Sequence, residues 1–190
     1  MSVQPDKWRV VSREKIADCR VFEVSARGSV DENGREGTFF VIESPDWVNV
    51  IPVTEAGRIV LIEQFRHGTE ELTLEIPGGM VDEGETPAEC AARELTEETG
   101  YVADELVYLG KSRPNPAIQN NWIHHFAAFG CTNDGKQSFD EHEKIAVREV
   151  GPEDLDRLIE SGSITHSLVL AGILRFKGVH GGRKEFTYES

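Results

Sequence analysis

GMVDEGETPAECAARELTEETGY, Gly79 to Tyr101, decides how this chain reads. Thr86-Pro87-Ala88-Glu89 places Thr at an N-cap, Pro at the first helical position and Glu at N3, a capping box with the favoured proline. A helix then runs through Ala91 and Leu95 to a stop at Gly100. At about 100° per residue, Glu94 and Glu98 share one face and Glu97 borders it. Close carboxylates repel unless a cation or an arginine compensates them. Donors made only of oxygen suit hard cations such as Mg²⁺ or Mn²⁺. Glu85, in the glycine-rich turn ahead of the helix, can fold back to the same face, and the planar fork of Arg93 can orient one of these carboxylates. Cys90 lies on the same helix and reads as buried filler.

Working outward, the residues before the helix read as β. Arg20 to Val30 and Gly37 to Ser44 flank the turn Asp31-Glu32-Asn33-Gly34 and predict a hairpin. Val48 to Val53 and Ile59 to Phe65, rich in Val and Ile, flank Glu55-Ala56-Gly57 as buried strands would, and Leu72 to Ile76 is a shorter run. After the helix come strand-like runs at Leu106 to Gly110 and Ile123 to Phe129, separated by a polar loop from Ser112 to Asn121. A second polar loop, Thr132 to Glu143, leads to a short strand at Ile145 to Val150. Pro152 to Ser161 and roughly Ser167 to Phe176 read as helices. The length of 190 residues favours one domain with a small appendage. We divide the chain into a β segment over 1–45 and a main domain over 46–190 that carries the helices.

Charge and composition narrow the function. With 34 acidic against 20 basic side chains the formal charge is −14, which argues against a general nucleic-acid binder and against docking on an anionic membrane. It leaves room for an anionic small substrate, because bound divalent cations reverse the local field. No apolar run approaches the ~20 residues of a membrane span, and MSVQPDKWRV has no apolar leader core. Three scattered cysteines without a CxxC pair favour neither zinc nor disulfides. The expected compartment is the reducing cytoplasm.

The segment 79–101 resembles the Nudix box, Gly-x5-Glu-x7-Arg-Glu-U-x-Glu-Glu-x-Gly-U with U a bulky apolar residue, at every fixed position; Tyr101 supplies an aromatic where an aliphatic is commoner. The resemblance implies an α/β/α sandwich around a mixed sheet, here with an N-terminal antiparallel β segment. It also implies Mg²⁺-dependent hydrolysis, with Mn²⁺ able to substitute, of a nucleoside diphosphate linked to another group. By position, Glu94 and Glu98 would be direct metal ligands, Glu97 a direct or water-mediated one, and the Gly78 carbonyl a further one. Metal ions would neutralise the bridging phosphates and activate water for in-line attack.

Flanking residues point to the substrate. Gln64-Phe65-Arg66 followed by Leu74-Glu75-Ile76-Pro77-Gly78-Gly79 is similar to the segment leading into the box in ADP-ribose and nucleotide-sugar pyrophosphatases, where Arg66 would hold a phosphate or the terminal ribose. Pro116, 15 residues past Tyr101, sits near a proline of that group, although Arg113-Pro114-Asn115-Pro116-Ala117 departs from its commoner Ser-Pro-Gly. Asp140-Glu141-His142-Glu143-Lys144-Ile145 resembles a late loop in which Glu141 would be the general base and Glu143 would assist a metal, with Glu97 or Glu98 as rival bases. Trp47 could stack on a nucleobase. Met80 is a further substrate-binding candidate, as is Arg27, reaching from a partner subunit. His124 and His125 alternate faces of a strand and cannot serve one metal.

The leading expectation is a pyrophosphohydrolase of ADP-ribose or another nucleoside diphosphate sugar, releasing a nucleoside monophosphate and a sugar phosphate. Its β segment resembles the dimerising part of the same group, so a homodimer is expected. The alternatives are diadenosine polyphosphates, nucleoside triphosphates or NADH as substrate, and a non-catalytic nucleotide-sugar sensor.

Overall fold

The structure, a computed structural model, describes residues 5–135, 137–138 and 144–180. Glu141 and Glu143 therefore lie outside the described residues. The chain forms two compact units.

The first unit comprises residues up to Pro45 together with 113–122. Within it β1 (Trp8–Asp18), β2 (Glu23–Asp31) and β3 (Glu36–Glu43) make an antiparallel sheet in that order. The β2–β3 hairpin turns where the sequence placed it, with Gly34 at φ 80° and its N–H donating to the Asp31 carbonyl at 3.2 Å. β1 was not foreseen. It is exposed almost throughout, and register shifts at Val10/Ser12 and Lys15/Ala17 break the two-residue alternation that marks a strand in sequence. Arg20 is not part of β2, as the sequence reading had it. It takes φ 66° in the turn, where the Asp18 carboxylate accepts its N–H at 3.1 Å.

The second unit holds a seven-stranded mixed sheet. Its strands are β4 (Trp47–Thr54), β5 (Ile59–Arg66), β6 (Glu71–Glu75), β7 (Tyr101–Val102), β8 (Glu105–Ser112), β9 (Ile123–Asn133) and β10 (Ala146–Val150). The order is β10-β5-β4-β9-β7, with β6 on β5 and β8 on β9. β4 and β9 run parallel at the centre, and the other pairs are antiparallel. Among the described residues the helices are α1 (Pro87–Thr99), α2 (Pro152–Glu160) and α3 (Ser167–His180).

β4 is buried along nearly its whole length, as expected of a central strand covered on both faces. Val48 and Val50 face one core with Cys90, Ala91, Leu95 and Phe126, so α1 covers that side. Ile51 and Val53 face the other core with Leu155, Val169 and Ile173, so α2 and α3 cover the opposite side. The result is the three-layer α/β/α arrangement anticipated from the sequence. No helix among the described residues is long and apolar enough to cross a membrane.

Candidate active site

The site is built on α1 and the loop before it. Thr86 caps α1 as its sequence predicts: its hydroxyl accepts the Glu89 N–H at 3.3 Å, and the Glu89 carboxylate accepts the Thr86 N–H at 2.8 Å. The helix ends on Gly100 in the left-handed region at φ 73°, a conformation that costs glycine nothing. Buried Cys90, Ala91 and Leu95 fix the helix against the sheet, which leaves Arg93, Glu94, Glu97 and Glu98 around one edge.

Arg93 organises that edge. Its Nε and Nη2 donate to the two oxygens of Glu85 at 2.9 and 3.0 Å. Its Nη1 donates to Glu94 Oε1 at 2.8 Å and to Glu97 Oε2 at 2.9 Å. Nη2 also reaches the Met80 carbonyl at 3.3 Å. One guanidinium thus serves three carboxylates. The Arg93 hydrogen bonds hold Glu85 down at about 2, and the same bonds raise Arg93 further above its usual range. Glu85, foreseen as folding back to the helix, does so through this pair.

Glu98 is buried and points elsewhere: its Oε2 accepts the Gly78 N–H at 2.8 Å. The carbonyls of Pro77 and Gly79, on either side of Gly78, accept from the Val50 and Val48 amides of β4 at 2.9 Å. The loop is therefore stitched to β4 on one side and to α1 at Gly78. Both glycines are demanded by crowding. A Cβ at Gly78 would overlap the Val48 carbonyl, and one at Gly79 would overlap the Glu94 carboxylate.

Among the described residues, no group of three His, Cys, Asp or Glu side chains is gathered to hold an ion as it stands; the Arg93 guanidinium lies between the carboxylates of Glu94 and Glu97. The donor set nevertheless suits a hard divalent cation. It consists of carboxylate oxygens and loop carbonyls, three carboxylates share one arginine while a fourth, Glu98, accepts the backbone N–H of Gly78, and Gly79 leaves the Glu94 carboxylate directly against the loop backbone.

Beside this loop opens a cavity of about 520 Å³, whose wall includes Gly78 and Gly79. Trp47, Met80 and Ile123 give it an apolar end; Arg66, Thr73, Glu75 and His166 give it a polar one. Trp47, Arg66 and Met80, all anticipated as substrate-binding, thus line one space. Trp47 and Met80 meet in an isolated β-bridge. Arg66 forks onto Glu75, with Nε and Nη2 donating at 2.7 and 2.6 Å. Despite its burial, Glu75 stays below its usual value because Arg66 and the Thr73 hydroxyl both donate to it.

Glu75 and His166 were not identified from sequence. For Glu75 it is the register that decides: the β5–β6 pairing sets Ile62 against Glu75 and Gln64 against Thr73, so Arg66, Thr73 and Glu75 fall on one face. His166 is a lone histidine before a helix, with no sequence signal of its own.

The paired histidines separate as expected. His124 Nε2 lies 3.2 Å from Asp46 and its Nδ1 3.2 Å from the Tyr108 hydroxyl. His125 is fully buried between Asn49 and Ser112, each at 2.8 Å, and burial lowers its pKa to about 4. Cys90 is buried, with its Sγ donating to the Met80 carbonyl at 3.2 Å, and burial pushes its thiol up. Arg27 and Pro116 belong to the first unit. There Arg27 pairs with Glu43 at 3.1 Å and Pro116 is exposed.

Comparison with known proteins agrees with this geometry. The sequence profile of the NUDIX domain matches residues 44–170. An ADP-ribose pyrophosphatase of Bacillus subtilis (strain 168) is 32% identical over 157 residues, 82% of this chain and 85% of that protein. A methanol dehydrogenase activator of Bacillus methanolicus is 28% identical over 166 residues, 87% of this chain and 90% of that protein. A crystal structure of an ADP compounds hydrolase shares the fold, with a TM-score of 0.82 at 22% identity, over 96% of this chain and 98% of that one.

Proposed function

Because the chain belongs to the NUDIX domain family and is a Nudix pyrophosphohydrolase, we propose that its substrate is ADP-ribose or another nucleoside diphosphate sugar. The products are a nucleoside monophosphate and a sugar phosphate. The observation that carries this reading is the cavity that shares Gly78 and Gly79 with the carboxylate edge and ends in Arg66, Glu75 and His166 on its polar side. A hydrophilic group attached to the distal phosphate suits such an end. The name of the Bacillus subtilis relative supports the same substrate class.

In this mechanism Glu94, Glu97, Glu98 and the Gly78 carbonyl would hold Mg²⁺, or Mn²⁺ in its place, with Glu143 assisting. When bound, the ion supplies charge neutralisation at the bridging phosphates and a more acidic water. Arg93 orients Glu94 and Glu97 through its fork. Trp47 stacks on the base, Met80 packs beside it, and Arg66 grips a phosphate or the distal ribose. Water adds to one phosphorus, the bridging P–O bond breaks, and the water's proton passes to Glu141. Residues 1–45 carry a homodimer contact, through which Arg27 reaches the partner's substrate.

The test is incubation of the protein and Mg²⁺ with ADP-ribose, ADP-glucose, GDP-mannose, UDP-glucose, a diadenosine polyphosphate and NADH, with products identified by mass. Monophosphate plus sugar phosphate from the sugar compounds is the expected result. Turnover confined to the polyphosphate or NADH would reject the substrate reading while keeping the chemistry.

A further inference from the structure

The polar end of the cavity contains one group that the reading above leaves unused. His166 closes the approach to α3, where its carbonyl accepts the Leu170 N–H at 3.0 Å, and it lines the cavity with Arg66 and Glu75. The three polar side chains that line this end with it already have partners. Arg66 spends Nε and Nη2 on Glu75, and Glu75 accepts from Arg66 and Thr73. The Thr73 hydroxyl is within reach of the Glu75 carboxylate and the Gln64 carbonyl.

The imidazole differs. Its Nδ1 is shut away from solvent with no hydrogen-bond partner, while the residue as a whole is only half-buried. The ring therefore meets the cavity by the edge that carries Nε2. Burial keeps the imidazole below its usual pKa, against the opposing pull of the Glu75 carboxylate, so near neutral pH it is an uncharged polar group. An uncharged imidazole is a poor phosphate ligand and a good partner for a hydroxyl, which both donates and accepts and so matches either tautomer.

We propose that His166 is a specificity-determining residue that reads a hydroxyl of the group carried on the distal phosphate, through the ring edge it turns to the cavity beside the Arg66–Glu75 pair. This rests on the nucleoside diphosphate sugar reading. Arg66 supplies charge at the polar end, and His166 supplies discrimination between a polyhydroxylated group and a bare one. A site that hydrogen-bonds a hydroxyl discriminates against analogues that lack it, because the polar group is then left unpaired.

The experiment compares ADP-ribose with the β-methyl ester of ADP, which keeps the pyrophosphate and lacks the sugar hydroxyls. Wild type, His166→Phe and His166→Gln are measured on both, with thermal midpoints recorded for each. His166→Phe should raise KM for ADP-ribose about tenfold with kcat within about twofold, and leave the methyl ester nearly unchanged. His166→Gln, whose amide nitrogen stands close to the place of Nε2, should recover most of that loss. Equal losses on both compounds, or no loss on ADP-ribose, would overturn the role. Wild-type protein inert towards both compounds would instead refute the substrate reading itself, and this role with it.

Discussion

Two neighbouring regions of the second unit are built in opposite ways. The carboxylate edge comes from a single stretch: Glu85, Arg93, Glu94, Glu97 and Glu98 lie within 14 residues, on one capped helix and its leading loop. The cavity wall is gathered from far apart, with Trp47 on β4, Arg66 and Glu75 on the β5–β6 hairpin and His166 before α3. Gly78 and Gly79 belong to both, bonded to Glu98 and β4 on one side and facing the cavity on the other. The contrast teaches a division of labour. Phosphate chemistry needs a fixed constellation, which a helix supplies at set spacing. On the proposed reading, recognition of the attached group needs only surfaces that converge.

Substitutions at the carboxylate edge should break this division most severely. Glu98→Gln keeps an acceptor for the Gly78 N–H but removes the charge. Turnover of ADP-ribose should fall by about 10³-fold, with circular dichroism unchanged. Next comes Gly79→Ala. Its Cβ would strike the Glu94 carboxylate, and displacement of that group by about an ångström should cost roughly 10²-fold in kcat, while KM moves less. Arg93→Lys replaces a fork serving Glu85, Glu94 and Glu97 by a point charge. A loss of about tenfold in activity or Mg²⁺ affinity is expected, readable from a Mg²⁺ titration of the rate.

How much of this was legible in the sequence follows the same line. The helix, its cap and its carboxylates were readable because a contiguous segment carries them at fixed spacing, and the structure reproduces the Thr86 cap and the fold-back of Glu85. The strands buried on both faces were readable from their Val and Ile content. β1 was not, because bulges and exposure erase its alternation. Nor was the partnership of Arg66 and Glu75, which depends on hairpin register, nor the place of His166, which depends on where α3 docks.

Changes in the cavity wall should be milder and should act on KM. Glu75→Gln removes the carboxylate that holds Arg66. KM for ADP-ribose should rise about fivefold with Mg²⁺ affinity unaltered, and a change in kcat alone would contradict the division.

The smallest effect on activity belongs to His125. It is buried neutral with its pKa lowered to about 4, against about 6.5 in the unfolded chain. As pH falls from 6.5 towards 4 the unfolded chain takes up a proton that the folded one refuses, so stability declines over that window and levels off below it. The decline is on the order of 3 kcal/mol. Urea unfolding of wild type and His125→Gln across that range should show a flatter profile in the variant, with near-normal turnover for whatever fraction folds.

The separation of the two regions is tested most directly by Mn²⁺ binding, followed by electron paramagnetic resonance in wild type, Glu94→Gln, Glu98→Gln and Glu75→Gln. The account predicts weakened binding in the two helix variants and wild-type binding in Glu75→Gln. Undiminished Mn²⁺ affinity in both helix variants, or an equal loss in Glu75→Gln, would contradict it.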